Sequence, residues 1–245
     1  MNILIPMAGS GLRFSNVGYE LPKPLIKINH RTILERAIDT LNIEGNYIFI
    51  VRKYDNQDHN KKVENILRRN KPSCEILMID YVTEGPACSA LLAKEYIDND
   101  QELIIANCDQ IMWWSGSRFI NYARSNNFDG AIVTYTTNTP KNSYAKIDLE
   151  GNVVQVAEKK VISNIGLNGI HYWKEGKYFV NSAQRMMKNN DRVNNEYYIA
   201  PTYNYMIESG KKVGIYHIPN EQHNAVGVPA DLEIFLERAK EYEYF

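Results

Sequence analysis

An open, mostly parallel α/β sheet is the fold class this chain predicts, and three observations carry the prediction. Short apolar runs alternate with amphipathic runs as far as Pro140, the rhythm of strand–helix–strand units. The first run, Ile3-Leu4-Ile5, passes straight into a loop of small residues, Ala8-Gly9-Ser10-Gly11. The fourth, 103–106, passes into Asn107-Cys108-Asp109. Ligands of such sheets collect beyond the carboxyl ends of the strands, so both stretches stand where binding is expected.

Taken in order, residues 3–6 read as a buried strand and 25–28 as a short extended piece. Residues 31–41 read as a helix, since Leu34, Ile38 and Leu41 share one face. A strand over 47–51 follows. Then comes a polar helix over 56–69 that turns Val63, Ile66 and Leu67 inward. Strands over 75–79, 103–106 and 131–135 alternate with helices over 86–96 and 116–125. After Pro140 the texture changes. Short strands are predicted over 144–148, 153–158 and 167–173, the first two joined across Glu150-Gly151-Asn152. Helices over 176–188 and 196–209, a strand over 212–217 and a closing helix over 229–242 complete the chain, with Pro229 in the last helix's first turn. No linker, repeat or low-complexity tract divides it, so residues 1–245 are expected to form one compact unit with a change of character near 140.

Composition narrows the function classes. The chain has 245 residues, 44% of them hydrophobic, and a formal net charge of −1. It can bury a sizeable core, and without a long basic run nucleic acid is not expected as a partner. No apolar stretch approaches the ~18 residues of a membrane span, and the start lacks the features of a secretory signal. Cys74, Cys88 and Cys108 have no CxxC spacing and read as reduced thiols of a cytoplasmic protein. His30, His59, His171, His217 and His223 lack metal-ligand spacing and read as packing or surface residues.

The loop after the first strand carries the chemistry. Backbone N–H groups exposed by glycines make an anion-holding nest. Arg13 adds a planar fork of donors, and Lys23, between Pro22 and Pro24, adds a point charge. Together with Ala8, Gly9, Ser10 and Gly11 they form a cradle for a polyphosphate. The third glycine of G-x-G-x-x-G and the G-K-[ST] ending of a P-loop are both absent.

What stands here is G-x-G-x-R-F followed by P-K-P, and it resembles the signature of the nucleotidyltransferases that join a nucleoside triphosphate to a sugar 1-phosphate or similar phosphate. Further motifs in the same order extend the resemblance to about Leu236: T-E-G-P-A, N-C-D, a hairpin ending in E-K, and V-P-A-D-L. The resemblance is strongest to the enzymes of bacterial surface-polysaccharide synthesis. It implies a single compact Rossmann-like nucleotidyltransferase fold, with a nucleotide-binding half (1–140) and a β-rich acceptor-binding half (141–245).

It also implies roles. Arg13 and Lys23 would grip the triphosphate, and Asp109 would hold Mg²⁺, an oxygen-seeking cation that bridges phosphates. Asn107 points the same way along its strand and would touch the nucleotide or acceptor. Thr83, Glu84, Gly85 and Ala87 would edge the base, although T-E-G-P equally suits a helix start capped by threonine. Glu158 would bind the acceptor, Lys159 would reach its phosphate and Gly169 would let it approach. Lys146 divides between a phosphate contact and a surface lysine, and Glu196 between an acceptor ligand and a favourable acid at a helix start. His171 and Tyr172 are expected in the same acceptor pocket.

Some relatives carry D-T-P-E-D-L near the end, with a metal-binding first aspartate. Gly227 holds that position here, which leaves Asp109 as the only expected carboxylate ligand. The resemblance to the surface-polysaccharide cytidylyltransferases implies CTP as the nucleotide, reinforced by a base loop without the glutamine of many sugar enzymes, and a phosphorylated small molecule such as phosphoglutamine as acceptor. A sugar 1-phosphate with UTP, dTTP or GTP stays open. So does a nucleotide-binding regulatory module without turnover. A homo-oligomer is compatible with all of these.

Overall fold

In the computed structural model, which describes residues 1–9 and 11–241, strand β1 (Asn2–Met7) lies at the centre of the sheet. Its residues are apolar towards both faces, as a strand covered by helices on each side requires. Ile3, Ile5 and Met7 enter one core, whereas Leu4 enters the other, the two-residue alternation of a pleated strand.

The first half continues with α1 (Leu12–Ser15), a 3₁₀ turn (Lys23–Leu25), the small hairpin β2 (Lys27–Ile28) and β3 (Arg31–Thr32), and α2 (Ile33–Leu41). Then come β4 (Asn46–Arg52), α3 (Gln57–Asn70), β5 (Glu75–Ile79), α4 (Pro86–Leu91), α5 (Lys94–Ile97), β6 (Leu103–Ala106), β7 (Gln110–Met112), α6 (Gly116–Ser125) and β8 (Gly130–Thr136). The second half adds β9 (Ser143–Ile147), β10 (Val153–Glu158), β11 (Ile165–Trp173), α7 (Gly176–Lys188), α8 (Thr202–Glu208), β12 (Val213–His217), β13 (His223–Ala225) and α9 (Pro229–Glu241).

Along the main sheet the strands run β12-β8-β11-β6-β1-β4-β5. Only β11 is antiparallel to its neighbours in this row, so the sheet is mostly parallel, as predicted. The β9–β10 hairpin branches from β11 through Gly166 and Tyr144. On one face α2, α3 and α6 pack Leu34, Ile38, Val63, Leu67 and Phe119 against the sheet. On the other, α4, α7 and α8 supply Ala87, Ala90, Phe179, Met186 and Tyr203. A third cluster joins Phe14 of α1 to Leu232 and Phe235 of α9, which ties the glycine loop to the end of the chain.

Several elements differ from expectation. The predicted helix over 86–96 is split into α4 and α5. Residues 196–201 are not helical. Asn194 and Asn195 have φ of 50° and 63° and form a tight turn closed by reciprocal Val193–Glu196 backbone bonds of 3.0 and 2.9 Å. Asparagine tolerates this left-handed region better than most residues. The backbone of Tyr197 then pairs with the 84–87 loop, donating to Glu84 O at 2.8 Å and accepting from Ala87 N at 3.0 Å. Those bonds replace a first helical turn, and α8 begins only at Thr202. The extended piece at 25–28 starts in the 3₁₀ turn. The β7–β13 ribbon, which pairs Gln110 with Ala225, was not predicted. Tyr242, the expected end of the last helix, lies outside the described residues.

Candidate active site

Four loops beyond the carboxyl ends of β1, β4, β5 and β6 enclose a cleft of about 560 Å³. After β1, Gly11 adopts a φ of 69° and turns the chain into α1, where buried Phe14 anchors the turn and Arg13 stands exposed at the cleft. Gly9 lines the same wall. Ala8 does too, and is buried. Ser10 falls outside the described residues.

Lys23 opens the 3₁₀ turn between Pro22 and Pro24, which is closed by Leu25 N donating to Pro22 O at 2.8 Å. Its ammonium donates to Asp109 Oδ2 at 2.7 Å, with each side chain about one-fifth exposed, 19% in both cases. Burial alone would lower the Lys23 pKa. The adjacent Asp109 carboxylate more than offsets this and holds the ammonium well above its ordinary range.

The floor of the cleft follows β6. Val226 N donates to the Asp109 carbonyl at 2.9 Å and brings Gly227 so close that a Cβ there would stand 2.9 Å from Asp109 Oδ2. Asn107 faces both this cleft and a second pocket of about 390 Å³. Cys108 is buried, and burial raises its thiol pKa.

On the far wall Thr83 and Gly85 line the cleft. The cap of α4 is Gly85 rather than Thr83. The Thr83 hydroxyl instead donates to Gly85 O at 3.0 Å and shares a 2.6 Å bond with the Ser89 hydroxyl. Gly85 has a φ of 132°, and a Cβ there would lie 2.5 Å from Tyr197 O, so only glycine permits the two backbones to pair. Glu84 points away to Arg192 at 2.5 Å, and Arg192 lies 4.1 Å from the Tyr197 ring centroid. Ala87 is buried against the core.

The expected acceptor residues do not form one pocket. Gly169 and Lys159 line the second pocket. Glu158 is buried beside it, accepting from the Ser143 hydroxyl and lying 3.2 Å from Lys159 Nζ. Lys159 has a φ of 55°, and its ammonium also donates to Lys141 O at 2.6 Å. Glu196 lines the first cleft. Lys146 is exposed on β9 away from both, and His171 and Tyr172 are buried.

Sequence reading missed Tyr54 and His59, which line the first cleft beyond β4. Their place after a strand's carboxyl end was the available signal. It also missed Tyr135 and His223 in the second pocket, whose rings lie 4.0 Å apart at 31°. Burial, helped by Arg238, pushes the His223 imidazole down to about 4, against the pull of Asp109.

Glycine loop, cations and carboxylate on the carboxyl edge of a mostly parallel sheet define an α/β protein built like a nucleotidyltransferase. The chain belongs to the nucleotidyl transferase family, whose model matches residues 3–229. Among its relatives, the bifunctional protein GlmU of Methanocaldococcus jannaschii is 26% identical over 162 residues, 65% of this chain and 36% of that protein. The chain spans between a third and about half the length of the curated relatives it matches. Among solved structures, a nucleoside-diphosphate-sugar pyrophosphorylase from Vibrio cholerae superposes with a TM-score of 0.83 at 24% identity, over 96% of this chain and 99% of that one. The inositol-1-phosphate CTP transferase from T. maritima gives a TM-score of 0.71 at 15% identity, over 98% and 96%.

Proposed function

We propose that this chain transfers a nucleoside monophosphate, CMP in preference, from the triphosphate to a small phosphorylated acceptor and releases pyrophosphate. The observation that carries the reading is the convergence of the glycine loop, Arg13, and the Lys23–Asp109 pair in one cleft. An oxygen of the acceptor phosphate attacks the α-phosphorus, and the bond from that phosphorus to the bridging β-oxygen breaks. The acceptor phosphate is already an anion at neutral pH, so no side chain need remove a proton. Positioning and charge then dominate the chemistry. Arg13 and Lys23 face the charge that builds on the leaving pyrophosphate, the glycine loop holds the triphosphate, and Thr83 and Gly85 edge the base.

The cleft fits Mg²⁺, because Asp109 offers a carboxylate oxygen beside the phosphate site. Such an ion, held by Asp109 and the phosphates, would supply charge neutralisation. Asn107 stands between the clefts, so the second pocket, with Lys159 and Gly169, is the place for the acceptor. The nucleotide cleft is drawn mostly from residues 1–140, with Glu196 and Gly227 added from the second half, while the acceptor pocket joins Lys159 and Gly169 to Asn107 and Tyr135 of the first.

Resemblance to the capsule enzyme CTP:phosphoglutamine cytidylyltransferase supports CTP and phosphoglutamine, in surface-polysaccharide synthesis. The fold similarity to a nucleoside-diphosphate-sugar pyrophosphorylase favours a second reading, a sugar 1-phosphate with UTP, dTTP or GTP. The test is kcat/KM for pyrophosphate release with CTP, UTP, GTP, ATP and dTTP, each paired with phosphoglutamine and with a hexose 1-phosphate. CTP with phosphoglutamine as the best pair supports the first reading. A hexose 1-phosphate with another nucleotide selects the second. No pyrophosphate release with any pair leaves a binding module and rejects both.

A further inference from the structure

Asp109 already has a cation, and that cation is Lys23. Their 2.7 Å contact is only one-fifth exposed on either side, so each charge depends on the other. Breaking such a pair without replacing the partner is strongly unfavourable, because it leaves an uncompensated charge away from water. A divalent ion reaching Asp109 in the free protein must either displace the ammonium and leave it stranded, or bind a carboxylate already neutralised by a positive charge at 2.7 Å that repels it.

Among the described residues, no cluster of His, Cys, Asp or Glu offsets that cost. Mg²⁺ takes about six oxygen ligands in near-octahedral geometry. Among the described residues, no group of three or more His, Cys, Asp or Glu is placed to hold a metal together. Gly227, close beside the carboxylate, brings no side chain and leaves only 2.9 Å between a notional Cβ and Asp109 Oδ2. Gly227 therefore adds no side-chain ligand to Asp109 at this position.

A polyphosphate changes the balance because it carries both replacement partners. Its oxygens give Lys23 a new anion, and its bound metal gives Asp109 a new cation. Before the exchange the ammonium neutralises the carboxylate. After it, the ammonium faces phosphate and the metal faces the carboxylate, so no charge is left bare at either stage. Resting on the nucleotidyltransferase reading, we infer that the Lys23–Asp109 ion pair keeps the free protein without a divalent cation, and that the metal enters only with the nucleotide as the two residues exchange partners.

Mn²⁺ tests this, because its paramagnetism reports binding without turnover. Free and bound Mn²⁺ are measured by electron paramagnetic resonance and water-proton relaxation at millimolar Mn²⁺. The free wild-type protein is expected to match Asp109→Asn, with no specific uptake. With α,β-methylene CTP present, the wild type is expected to give an enhanced relaxation signal that Asp109→Asn loses. Lys23→Ala removes the competing ammonium, and Mn²⁺ binding to that free variant is expected to strengthen at least ~10-fold over wild type, the direction set by losing a positive charge in contact with the carboxylate. Asp109-dependent Mn²⁺ uptake by the free wild type equal to that of Lys23→Ala overturns the inference while leaving the transferase reading intact. Failure of every nucleotide to bind, with metal present, overturns the transferase reading instead.

Discussion

The Asn107 side chain occupies the space that a side chain on Gly169 would need: a Cβ on Gly169 would lie 2.1 Å from Asn107 Nδ2. The two backbones are also joined, Asn107 N donating to Gly169 O at 3.1 Å. Gly169 has a φ of 94° and falls within the register shift of β11 between Leu167 and His171. The irregularity in an otherwise regular strand therefore gives Asn107 its seat between the two pockets. Gly169→Ala combines an unfavourable backbone angle with a collision, and a cost of about 2 kcal/mol or more is expected. Urea unfolding reads the stability, and the KM for the acceptor is expected to rise more than that for the nucleotide. Unchanged stability and KM would mean that Asn107 moves away freely.

Arg13→Ala and Lys23→Ala are each expected to lower kcat by ~10²–10³, the usual effect of removing one electrostatic contact to developing charge. Their stabilities should differ. Arg13 is exposed on α1, so its loss leaves the melting temperature near that of wild type. Lys23→Ala leaves Asp109 without its ion-pair partner and lowers it. Adding Asp109→Asn to Lys23→Ala is expected to restore stability but not turnover. Turnover near wild type in either single variant would reject the phosphate-gripping role.

Gly85 and Gly9 make a controlled pair. A Cβ on Gly85 meets the Tyr197 backbone at 2.5 Å with φ at 132°, whereas one on Gly9 meets nothing within 4 Å. Gly85→Ala is expected to lower the melting temperature by several degrees, corresponding to about 1–3 kcal/mol, and to raise the KM for the nucleotide as the 84–87 loop separates from Tyr197. Gly9→Ala is expected to keep the melting temperature of wild type. Equal melting temperatures for both variants would contradict the backbone pairing.

His171 and His223 are held neutral in the folded state. Burial pushes His171 down to about 3, and burial with Arg238 pushes His223 down to about 4. Between those values and the ordinary 6.5, the unfolded chain binds protons that the folded chain does not. Stability therefore falls as pH drops below 6.5 and levels off only below the folded values. By pH 5 the loss is about 2 kcal/mol per histidine. Urea unfolding at pH 7 and pH 5 measures it, and His171→Phe should remove about half of the loss assigned to this pair. A flat profile over that range would show that neither imidazole is held neutral.

Much of the architecture was legible because it is written locally. The short apolar runs that become β1 and β4, the spacing of Leu34, Ile38 and Leu41 on α2, and the prolines around Lys23 are properties of neighbouring residues, and they survive into the structure. So does the placing of the glycine loop and Asp109 beyond strand ends, which follows from strand direction alone.

The tertiary structure decided what depends on residues far apart in the chain. Residues 196–201 suit a helix by composition, but Tyr197 finds its backbone partners on the 84–87 loop, more than a hundred residues earlier. The acceptor residues that look adjacent along strands scatter in space: Lys146 on β9 reaches solvent, and the register shift of β11 between Leu167 and His171 breaks its alternation, so that Gly169 meets Asn107 while His171 enters the core. Lys23 and Asp109 each carry a legible charge, but only folding sets the ammonium 2.7 Å from the carboxylate. Local pattern determines which elements form and which way their ends point, because it acts through the backbone of adjacent residues. Which side chains meet is decided by long-range packing, where loop closure and burial select among partners that the linear order leaves equivalent.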